Sequence, residues 1–267
     1  MSEMLRIDHI CKTFNAGTIN EKIALNGVDL TLEDGDFVTV IGGNGAGKST
    51  MLNAISGVWK PDSGKVLLDG MDITGMAEYK RAKYLGRVFQ DPMMGTAPTM
   101  QIEENLALAL RRRKPRTLRW GITAAEREQY RTLLQEFQLG LEDRLTSRVG
   151  LLSGGQRQAL TLIMATLQKP KLLLLDEHTA ALDPKTAARV LEVTDKLVGE
   201  HHLTTLMITH NMNDAIRYGN RLIMMHEGRV IYTVSGEEKQ HLQVPDLLKK
   251  FEEYSHEVYA NDRSLLA

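Results

Sequence analysis

The chain has few of the features that mark secreted, membrane-spanning or nucleic-acid-binding proteins. Its 267 residues include a single cysteine, Cys11, so no disulfide can form within the chain and a reducing compartment is expected. No apolar run approaches the roughly 20 residues needed to cross a bilayer, and the N-terminus lacks the basic and apolar segments of a signal peptide. The net charge of -1 argues against a globally basic nucleic-acid binder. We therefore expect a cytosolic globular protein.

Apolar spacing along the chain predicts strands and helices in alternation. Strand-like patterns cover residues 5–10 and 28–32, and a β-branched apolar run covers residues 37–41. From about residue 99 the spacing becomes helical, which predicts an inserted helical subdomain over about residues 99–165. Strand-like runs return at residues 172–175 and further along the chain, and a hairpin is expected before residue 235. Strands that alternate with helices predict an α/β fold with a largely parallel sheet.

A glycine-rich loop at residues 42–49 reads G-G-N-G-A-G-K-S and fits the pattern G-x-x-x-x-G-K-S without a mismatch. It follows the apolar run at residues 37–41 and precedes a predicted helix, which is the context that a phosphate-binding loop requires. Its backbone N–H groups can converge on phosphate oxygens, while Lys48 adds positive charge at the β- and γ-phosphates. Ser49 offers a hydroxyl to Mg²⁺. The loop therefore predicts a site for ATP and Mg²⁺.

An acidic pair, Asp176 and Glu177, follows the strand predicted at residues 172–175. A carboxylate at that strand end lies at the mouth of a parallel sheet near the phosphates, where we expect Asp176 to hold Mg²⁺ through water. Hydrolysis also needs a group that orients and partly deprotonates a water in line with the γ-phosphate, and Glu177 suits that role. A solvated surface pair is the alternative for these two carboxylates.

A second glycine pair occurs in the sequence L-S-G-G-Q at residues 152–156, where it opens an apolar helix. Ser153 is the expected N-cap of this helix. The helix N-terminus is an anion site of the same physical type as the phosphate loop. One domain rarely needs two such termini for one triphosphate, so we expect the second to bind the nucleotide of another subunit. The predicted signature residues are Ser153, Gly154, Gly155 and Gln156.

The three motifs in this order resemble those of ATP-binding-cassette (ABC) ATPases. The chain is similar to the nucleotide-binding subunits of ABC transporters over residues 4–235. The resemblance implies a P-loop NTPase of the α/β class, with a RecA-like core, an N-terminal antiparallel β subdomain and the helical subdomain inserted into the core. It also implies an ABC ATPase domain over residues 1–235 and a helical tail over residues 236–267.

The resemblance assigns roles to individual residues. Phe14, in K-T-F, is expected to stack on adenine, and Gln90, in V-F-Q-D-P, to sense the metal and the γ-phosphate and to couple to the permease. His210, in I-T-H-N, is expected to contact the γ-phosphate, and Asp183, in A-L-D, belongs to the loop that crosses the dimer interface. The expected catalytic residues are Glu177, His210 and Lys48. The expected metal ligands are Ser49, Gln90 and Asp176. The expected ATP-binding residues are Phe14, Gly42, Gly43, Asn44, Gly45, Ala46, Gly47, Lys48, Ser49, Thr50 and Gln90.

Three positions depart from the family pattern. His178 stands where the family often has proline after the catalytic glutamate, and Ala180 replaces the usual serine of the interface loop. Met164 stands where many members carry an arginine in the helix after the signature. None of these residues belongs to the phosphate-binding or metal-binding groups, so we expect competent hydrolysis.

The resemblance implies an ATP-hydrolysing subunit on the cytoplasmic face of the membrane that powers solute uptake through separate permease subunits. Its expected partners are a second ABC ATPase subunit, in a homodimer, the transmembrane permease subunits and an extracytoplasmic solute-binding protein, with no nucleic acid. Residues 177–184 are similar to those of ATPases paired with branched-chain-amino-acid-type permeases, so an amino acid or a similar small polar solute is the expected cargo. The alternative is a soluble ABC ATPase that assists a non-transport scaffold, such as one for iron–sulfur cluster assembly.

A basic segment at residues 111–119 contains no acidic residue and lies between two predicted helices. Each cation near an anionic membrane contributes about 1 kcal/mol to binding, so one hypothesis is contact with lipid headgroups and another is contact with RNA. A solvated loop between helices is the alternative. Within the implied fold, lipid is favoured over nucleic acid, because the helical subdomain faces the permease and the cytoplasmic leaflet.

Overall fold

Two β-sheets carry the fold of residues 2–112 and 121–265, the part of the chain that this computed structural model describes. The strands are β1 (Glu3–Phe14), β2 (Lys22–Glu33), β3 (Phe37–Gly42), β4 (Ser63–Leu68), β5 (Met71–Asp72), β6 (Leu85–Val88), β7 (Leu172–Asp176), β8 (Thr205–Ile208), β9 (Arg221–His226) and β10 (Arg229–Ser235). The smaller sheet has the order β2-β1-β4-β5 and is antiparallel. It forms the predicted N-terminal β subdomain.

The larger sheet has the order β10-β9-β3-β8-β7-β6. All of its strands are parallel except β10, which pairs antiparallel with β9 at one edge. In such a sheet the carboxyl ends of the strands share one edge, and the loops that follow them form the binding crevice. Here β3 leads into the glycine loop, β6 into Gln90, β7 into Glu177 and β8 into His210. One edge of one sheet therefore gathers residues that are far apart in sequence.

Helices cover both sheets and form the inserted subdomain. They are α1 (Lys48–Ser56), α2 (Glu78–Arg81), α3 (Ile102–Leu110), α4 (Ala124–Gln135), α5 (Gly154–Thr166), α6 (Pro184–His201), α7 (Met212–Arg217), α8 (Gly236–His241) and α9 (Val244–Leu265). The helical spacing of residues 124–137 extends two residues beyond the end of α4. The helix stops at Gln135 because the chain reverses just afterwards, where Gln138 and Gly140 have φ angles of 52° and 67°.

The continuous leucine run of β7 is explained by burial of both faces. Leu173 and Leu175 pack in a cluster shared with the helical subdomain, whereas Leu172 and Leu174 pack in a cluster shared with the antiparallel sheet. A central parallel strand has no solvent-facing side, so its sequence shows a continuous apolar run and no alternation. The strand that ends at Asp176 is therefore the common wall of the two largest apolar clusters.

Residues beyond 235 pack on the sheet near its β9–β10 edge. Leu247 of α9 is fully buried in a cluster with Ile41, Leu222 and Met224. The division of the chain at residue 235 stays a prediction. In the described ranges, every helix is too short or too polar to cross a membrane. The α/β fold with a parallel core sheet, an antiparallel subdomain and an inserted helical subdomain is confirmed.

Candidate functional site

The glycine loop connects β3 to α1, and its conformation requires glycine where the backbone approaches another strand. Gly47 precedes the helix with φ = 96°, and a Cβ atom there would lie 2.5 Å from the carbonyl oxygen of Ala24. The loop is also fixed by a hydrogen bond from the Gly228 N–H to the Ala46 carbonyl (3.1 Å). These contacts hold the loop against β2 and the β9–β10 turn.

Lys48 is the first residue of α1, and its side chain folds back over the loop. Its Nζ donates to the carbonyl oxygens of Gly42 (2.8 Å) and Gly43 (3.1 Å). Burial lowers the pKa of Lys48, and the nearby carboxylates of Glu177 and Asp176 act in the opposite direction. The amine is thus an internal donor poised above the place where the loop would hold phosphate oxygens.

Ser49 and Asp176 bring two oxygen groups together beside the loop. The Ser49 hydroxyl donates to Asp176 Oδ1 over 3.3 Å. Burial raises the pKa of Asp176, while the charge of Arg87 and the hydrogen bond from Ser49 oppose that rise. Within the described ranges, no group of three or more His, Cys, Asp or Glu side chains could hold a metal alone. A hydroxyl and one carboxylate fit Mg²⁺, which uses few protein ligands and completes its shell with phosphate oxygens and water.

Glu177 and His210 face each other at the ends of neighbouring strands. His210 Nδ1 lies 3.7 Å from Glu177 Oε2, and the histidine side chain is mostly exposed. Glu177 has φ = 44°, a left-handed conformation that is rare for a residue with a side chain. Its N–H donates to the Ile208 carbonyl (3.0 Å), which fixes this turn to the end of β8. Backbone strain of this kind is often retained at functional sites.

Phe14 ends β1 opposite Lys22, the first residue of β2. The Lys22 Nζ lies 3.4 Å from where a Cβ of Gly45 would be, so this end of the strand pair approaches the glycine loop. The Phe14 ring contacts Trp59 edge to face, with centroids 5.1 Å apart and planes at 78°. Lys12 Nζ lies 5.6 Å from the centroid of the same ring. Phe14 is therefore near the loop and is held by a second aromatic residue.

Gln90 lies two residues beyond β6 and is exposed. In the register of the sheet Val88 pairs with Leu175, so the chain segments leading to Gln90 and to Glu177 leave the same edge on adjacent strands. Gln158 Nε2 of α5 donates to the Phe89 carbonyl (3.0 Å), which ties the Gln90 loop to the helical subdomain.

The signature residues form the N-terminus of α5 at a separate place. Ser153 Oγ accepts from the N–H of Gln156 (3.3 Å), and the Gln156 side chain accepts in return from the Ser153 N–H (3.1 Å). A Cβ at Gly155 would lie 2.2 Å from Thr186 Cγ2, so this glycine permits contact with α6. Asp183 is the N-cap of α6 and accepts from the Thr186 N–H (3.1 Å). The side-chain hydroxyl of Thr186, together with this N–H, lowers the pKa of the Asp183 carboxyl. Ser153 and Gly154 remain exposed.

The three departures from the family pattern lie in different surroundings. His178 is fully buried, and burial lowers its pKa to about 4. Its Nε2 lies 3.3 Å from Thr194 Oγ1 of α6. Ala180 is exposed, and Met164 packs partly buried beside the helical cluster. His178 thus anchors the turn after Glu177 to α6, a contact that proline could not make.

Only the first two residues of the basic segment at residues 111–119 belong to the part of the chain that the structure describes. Arg111 Nη2 lies 3.2 Å from a carboxylate oxygen of Glu126 and also donates to the Gly121 carbonyl. Residues 113–119 lie outside the described residues, so the lipid and RNA hypotheses for the segment stay predictions.

The structure gathers the glycine loop, Asp176, Glu177 and His210 at one sheet edge, while the signature caps a helix elsewhere. Two further residues near the predicted set were not anticipated. Trp59 supports Phe14, and Arg87 contacts Asp176. A sequence signal for Arg87 existed, because a charged residue within an apolar strand needs a buried partner.

The comparison with protein families agrees with this geometry. A profile of the family described as ABC transporter matches residues 25–180. The chain belongs to the ABC transporter family. It is an ATP-binding ABC domain, with the ATPase activity that such domains have in transporters.

Individual relatives match most of the length of this chain. The tyrosine transport ATP-binding protein of Clostridioides difficile (strain R20291) is 48% identical over 249 residues, which are 93% of this chain and 99% of that protein. The methionine import ATP-binding protein MetN of Corynebacterium diphtheriae is 40% identical over 85% of this chain and 64% of its own length. The ATP-binding cassette MJ0796, solved as a dimer in a post-hydrolysis state with ADP and Pi, is 31% identical. It superposes with a TM-score of 0.75 over 87% of this chain and 98% of that chain.

Proposed function

We propose that this ABC protein is the ATP-hydrolysing subunit of an importer for an amino acid or a similar small polar solute. The observation that carries the proposal is the convergence of Ser49, Asp176, Glu177 and His210 around the glycine loop at one sheet edge. This set contains each group needed to hold a triphosphate and to split its terminal phosphoanhydride bond with water.

The nucleotide is held by its base and by its phosphates. Phe14 stacks on the adenine, supported by its edge-to-face contact with Trp59. Residues 42–50 direct backbone N–H groups at the phosphates, and Lys48 exchanges its carbonyl partners for the β- and γ-phosphate oxygens. The Ser49 hydroxyl, with Asp176 and Gln90, would hold Mg²⁺, which when bound would supply charge neutralisation on the phosphates.

Glu177 and His210 act on the attacking water and on the terminal phosphate. The Glu177 carboxylate accepts a proton from the water while the water oxygen forms a bond to the γ-phosphorus. At the same time the bond between the γ-phosphorus and the bridging oxygen breaks, and that oxygen leaves with ADP. The His210 imidazole, 3.7 Å from that carboxylate, donates a hydrogen bond to the γ-phosphate and so holds the phosphate in line. The products are ADP and inorganic phosphate.

The active form requires a second copy. The positive end of α5 at Ser153 and Gly154 is exposed, and this 13-residue helix offers an anion site that the chain's own glycine loop does not use. In a homodimer, the signature of each copy would face the nucleotide of the other, with Asp183 in the loop between them. The dimeric relative MJ0796 supports this arrangement.

The membrane partner would be a separate permease, which places the chain peripherally on the cytoplasmic face. A groove of about 300 Å³ opens between the parallel sheet and the helical subdomain, beside the loop that carries Gln90. Its rim includes Met94, which is 69% exposed. We place a permease segment in this groove, from which Gln90 relays its position to the phosphates. A solute-binding protein outside the cell completes the importer.

The names of the relatives suggest the cargo. One relative is a tyrosine transport protein and another a methionine import protein. The identity of 48% over almost the full length makes tyrosine the first candidate and methionine the second. The similarity of residues 177–184 to branched-chain-type ATPases keeps leucine as a third. These names favour transport over an iron–sulfur scaffold role.

Glu177→Gln tests the chemistry, because the amide keeps the shape of the side chain but cannot accept the proton. We expect kcat to fall by about 10²-fold or more, the usual contribution of a general base, while ATP still binds and now holds the dimer together. Phosphate release and light scattering after gel filtration measure the two effects. Glu192→Gln on the exposed face of α6 is the matched control and should leave both unchanged. Hydrolysis at the parental rate in Glu177→Gln would remove this residue from its role.

Uptake assays test the cargo. Cells that lack the chain are complemented with the parental protein or with Glu177→Gln, and the uptake of radiolabelled tyrosine, methionine and leucine is compared. We expect the parental protein alone to restore tyrosine uptake. Restoration of methionine or leucine uptake instead would reassign the cargo, and restoration of none would refute an amino-acid importer.

A further inference from the structure

Arg87 is a buried cation on β6 that has no part in the proposed binding and hydrolysis of ATP. Its side chain is only 12% exposed, and a guanidinium cannot adapt to burial by losing its proton. Nη1 donates to Ser56 Oγ (2.9 Å) and Nη2 donates to Asn53 Oδ1 (2.7 Å). Both acceptors lie on α1, the helix that begins at Lys48. The guanidinium therefore ties β6 to the helix that follows the glycine loop.

The same guanidinium reaches the carboxylate proposed to face the metal. Arg87 Nη2 lies 3.5 Å from Asp176 Oδ2, and the Asp176 side chain is likewise 12% exposed. The other carboxylate oxygen, Oδ1, accepts from the Ser49 hydroxyl (3.3 Å). Each oxygen of Asp176 thus has its own partner, one from β6 and one from α1, and the plane of the carboxylate is restrained from both sides.

The arginine also contacts an aromatic ring. Its guanidinium carbon lies over the Phe89 ring, 4.5 Å from the ring centroid, which is within the range of a cation–π interaction. Both side chains also line the groove in which we place a permease segment. A planar guanidinium presents several donors in fixed directions, so it can hold acceptors on two elements at once more rigidly than a single ammonium on a flexible chain.

We propose that Arg87 is a positioning residue for the hydrolytic site, which fixes the orientation of the Asp176 carboxylate relative to α1 and the glycine loop. The inference rests on the proposed role of Asp176 at the metal. Partners that hydrogen-bond a metal-binding carboxylate typically contribute about 10- to 100-fold in metal affinity or activity. Because Arg87 also forms part of the groove wall, a segment seated in the groove lies one side chain away from that carboxylate.

Arg87→Met tests the proposal with a side chain of similar length and no donor. The first readout is Mn²⁺ binding to the ADP-bound protein, followed by electron paramagnetic resonance, and we expect its Kd to rise by about 10-fold. The second is the Mg²⁺ concentration for half-maximal hydrolysis, which should rise by a similar factor. The KM for ATP at saturating metal should stay within about two-fold, because no nucleotide contact is removed. Arg6→Met on the surface of β1 is the matched control.

Arg87→Lys serves as the second variant, because it keeps the buried charge and so keeps the proposal testable should Arg87→Met fail to fold. Arg87→Lys should raise the Kd for Mn²⁺ by about three-fold or more, because the ammonium cannot hold Asn53, Ser56 and Asp176 together. A variant with reduced activity but parental Mn²⁺ affinity would show that Arg87 is merely structural and overturn the proposal. Asp176→Asn tests the proposed metal role of Asp176 separately from the positioning role of Arg87. If it also leaves Mn²⁺ binding unchanged, the proposed metal role of Asp176 fails first.

Discussion

Lys239 connects the C-terminal helices to the segment that follows His210, and its replacement by methionine should reveal the strength of that connection. Lys239 lies on α8 and is 3% exposed. Its Nζ donates to the carbonyl oxygens of Ile216 (2.7 Å), Tyr218 (2.8 Å) and Gly219 (3.0 Å) at the end of α7. Burial lowers the pKa of Lys239 to about 8. Methionine has a similar length but no donor, so Lys239→Met leaves these acceptors without their partner.

The expected loss of stability depends on pH. An unsatisfied buried acceptor costs about 1 kcal/mol or more. At pH 9.5 the folded protein holds a neutral amine, whose two N–H groups satisfy two acceptors, so the substitution predicts a loss of about 2 kcal/mol at this pH. The unfolded chain, with a lysine pKa of about 10.4, binds more protons between pH 8 and 10.4. The contribution of Lys239 to stability therefore rises with pH in this window, by about 2 kcal/mol from pH 7 to pH 9.5. At pH 7 the loss on substitution should shrink to about zero.

Urea unfolding followed by circular dichroism at pH 7 and pH 9.5 measures the free energy of unfolding of both proteins. Lys249→Met is the matched control, since this lysine of α9 is 76% exposed and pairs with Glu253 at 3.9 Å. It should change stability by less than about 0.5 kcal/mol at either pH. Equal losses at both pH values in Lys239→Met would refute the argument from burial, and no loss at either would refute the argument from the three acceptors.

Three further perturbations address the site and its surroundings. Gly47→Ala should abolish ATP binding in a fluorescent-nucleotide assay, because its Cβ would meet the Ala24 carbonyl at 2.5 Å; parental affinity would contradict this steric reading. Trp59→Ala should raise the KM for ATP by about 2- to 10-fold with kcat unchanged, since an edge-to-face pair contributes about 0.5–1.5 kcal/mol, whereas Trp59→Phe should retain most of the affinity. Burial lowers the pKa of His178 to about 4, so protonation of the unfolded chain below pH 6.5 disfavours folding. The difference in free energy of unfolding between the parental protein and His178→Leu, measured by urea titration, should therefore shift against the parental protein as the pH falls from 6.5 to 4. A difference that stays constant over this range would show that His178 is not a neutral buried side chain.

The features that the sequence predicted are those whose determinants lie within one short segment. The strand, the glycine loop and the helix lie within about 20 residues. The loop needs glycine at position 47 because a side chain would not fit there, and the glycine is visible in the sequence. Asp176 could be placed because a continuous leucine run predicts a buried parallel strand, and such strands end at the binding edge. His210 required the family resemblance, because a lone histidine at a strand end has no local signal.

The features that the sequence did not reveal are contacts between segments that only the topology brings together. Arg87 and Asp176 meet because β6 and β7 are neighbours in the sheet, although 89 residues separate them. Trp59 reaches Phe14 because the chain after α1 returns beside β1. In each case the residue types are compatible with many partners, and the choice among them depends on strand order. Spacing along the chain carries no information about that order.

Two buried cations restrain the helices that start at the proposed catalytic edge of the sheet. Arg81 is 1% exposed, and its Nη1 donates to the carbonyl oxygens of Ala54 and Ile55 in the last turn of α1. Lys239 occupies the corresponding place at the end of α7. Each of these helices begins close to a candidate site residue: α1 begins at Lys48, and α7 begins two residues after His210. A cation at the C-terminus satisfies carbonyls that have no partner within the helix and complements the negative end of its dipole. Both helices are thus fixed at the end away from the site by a side chain from another segment, so this restraint remains in place when a ligand changes the contacts of Lys48.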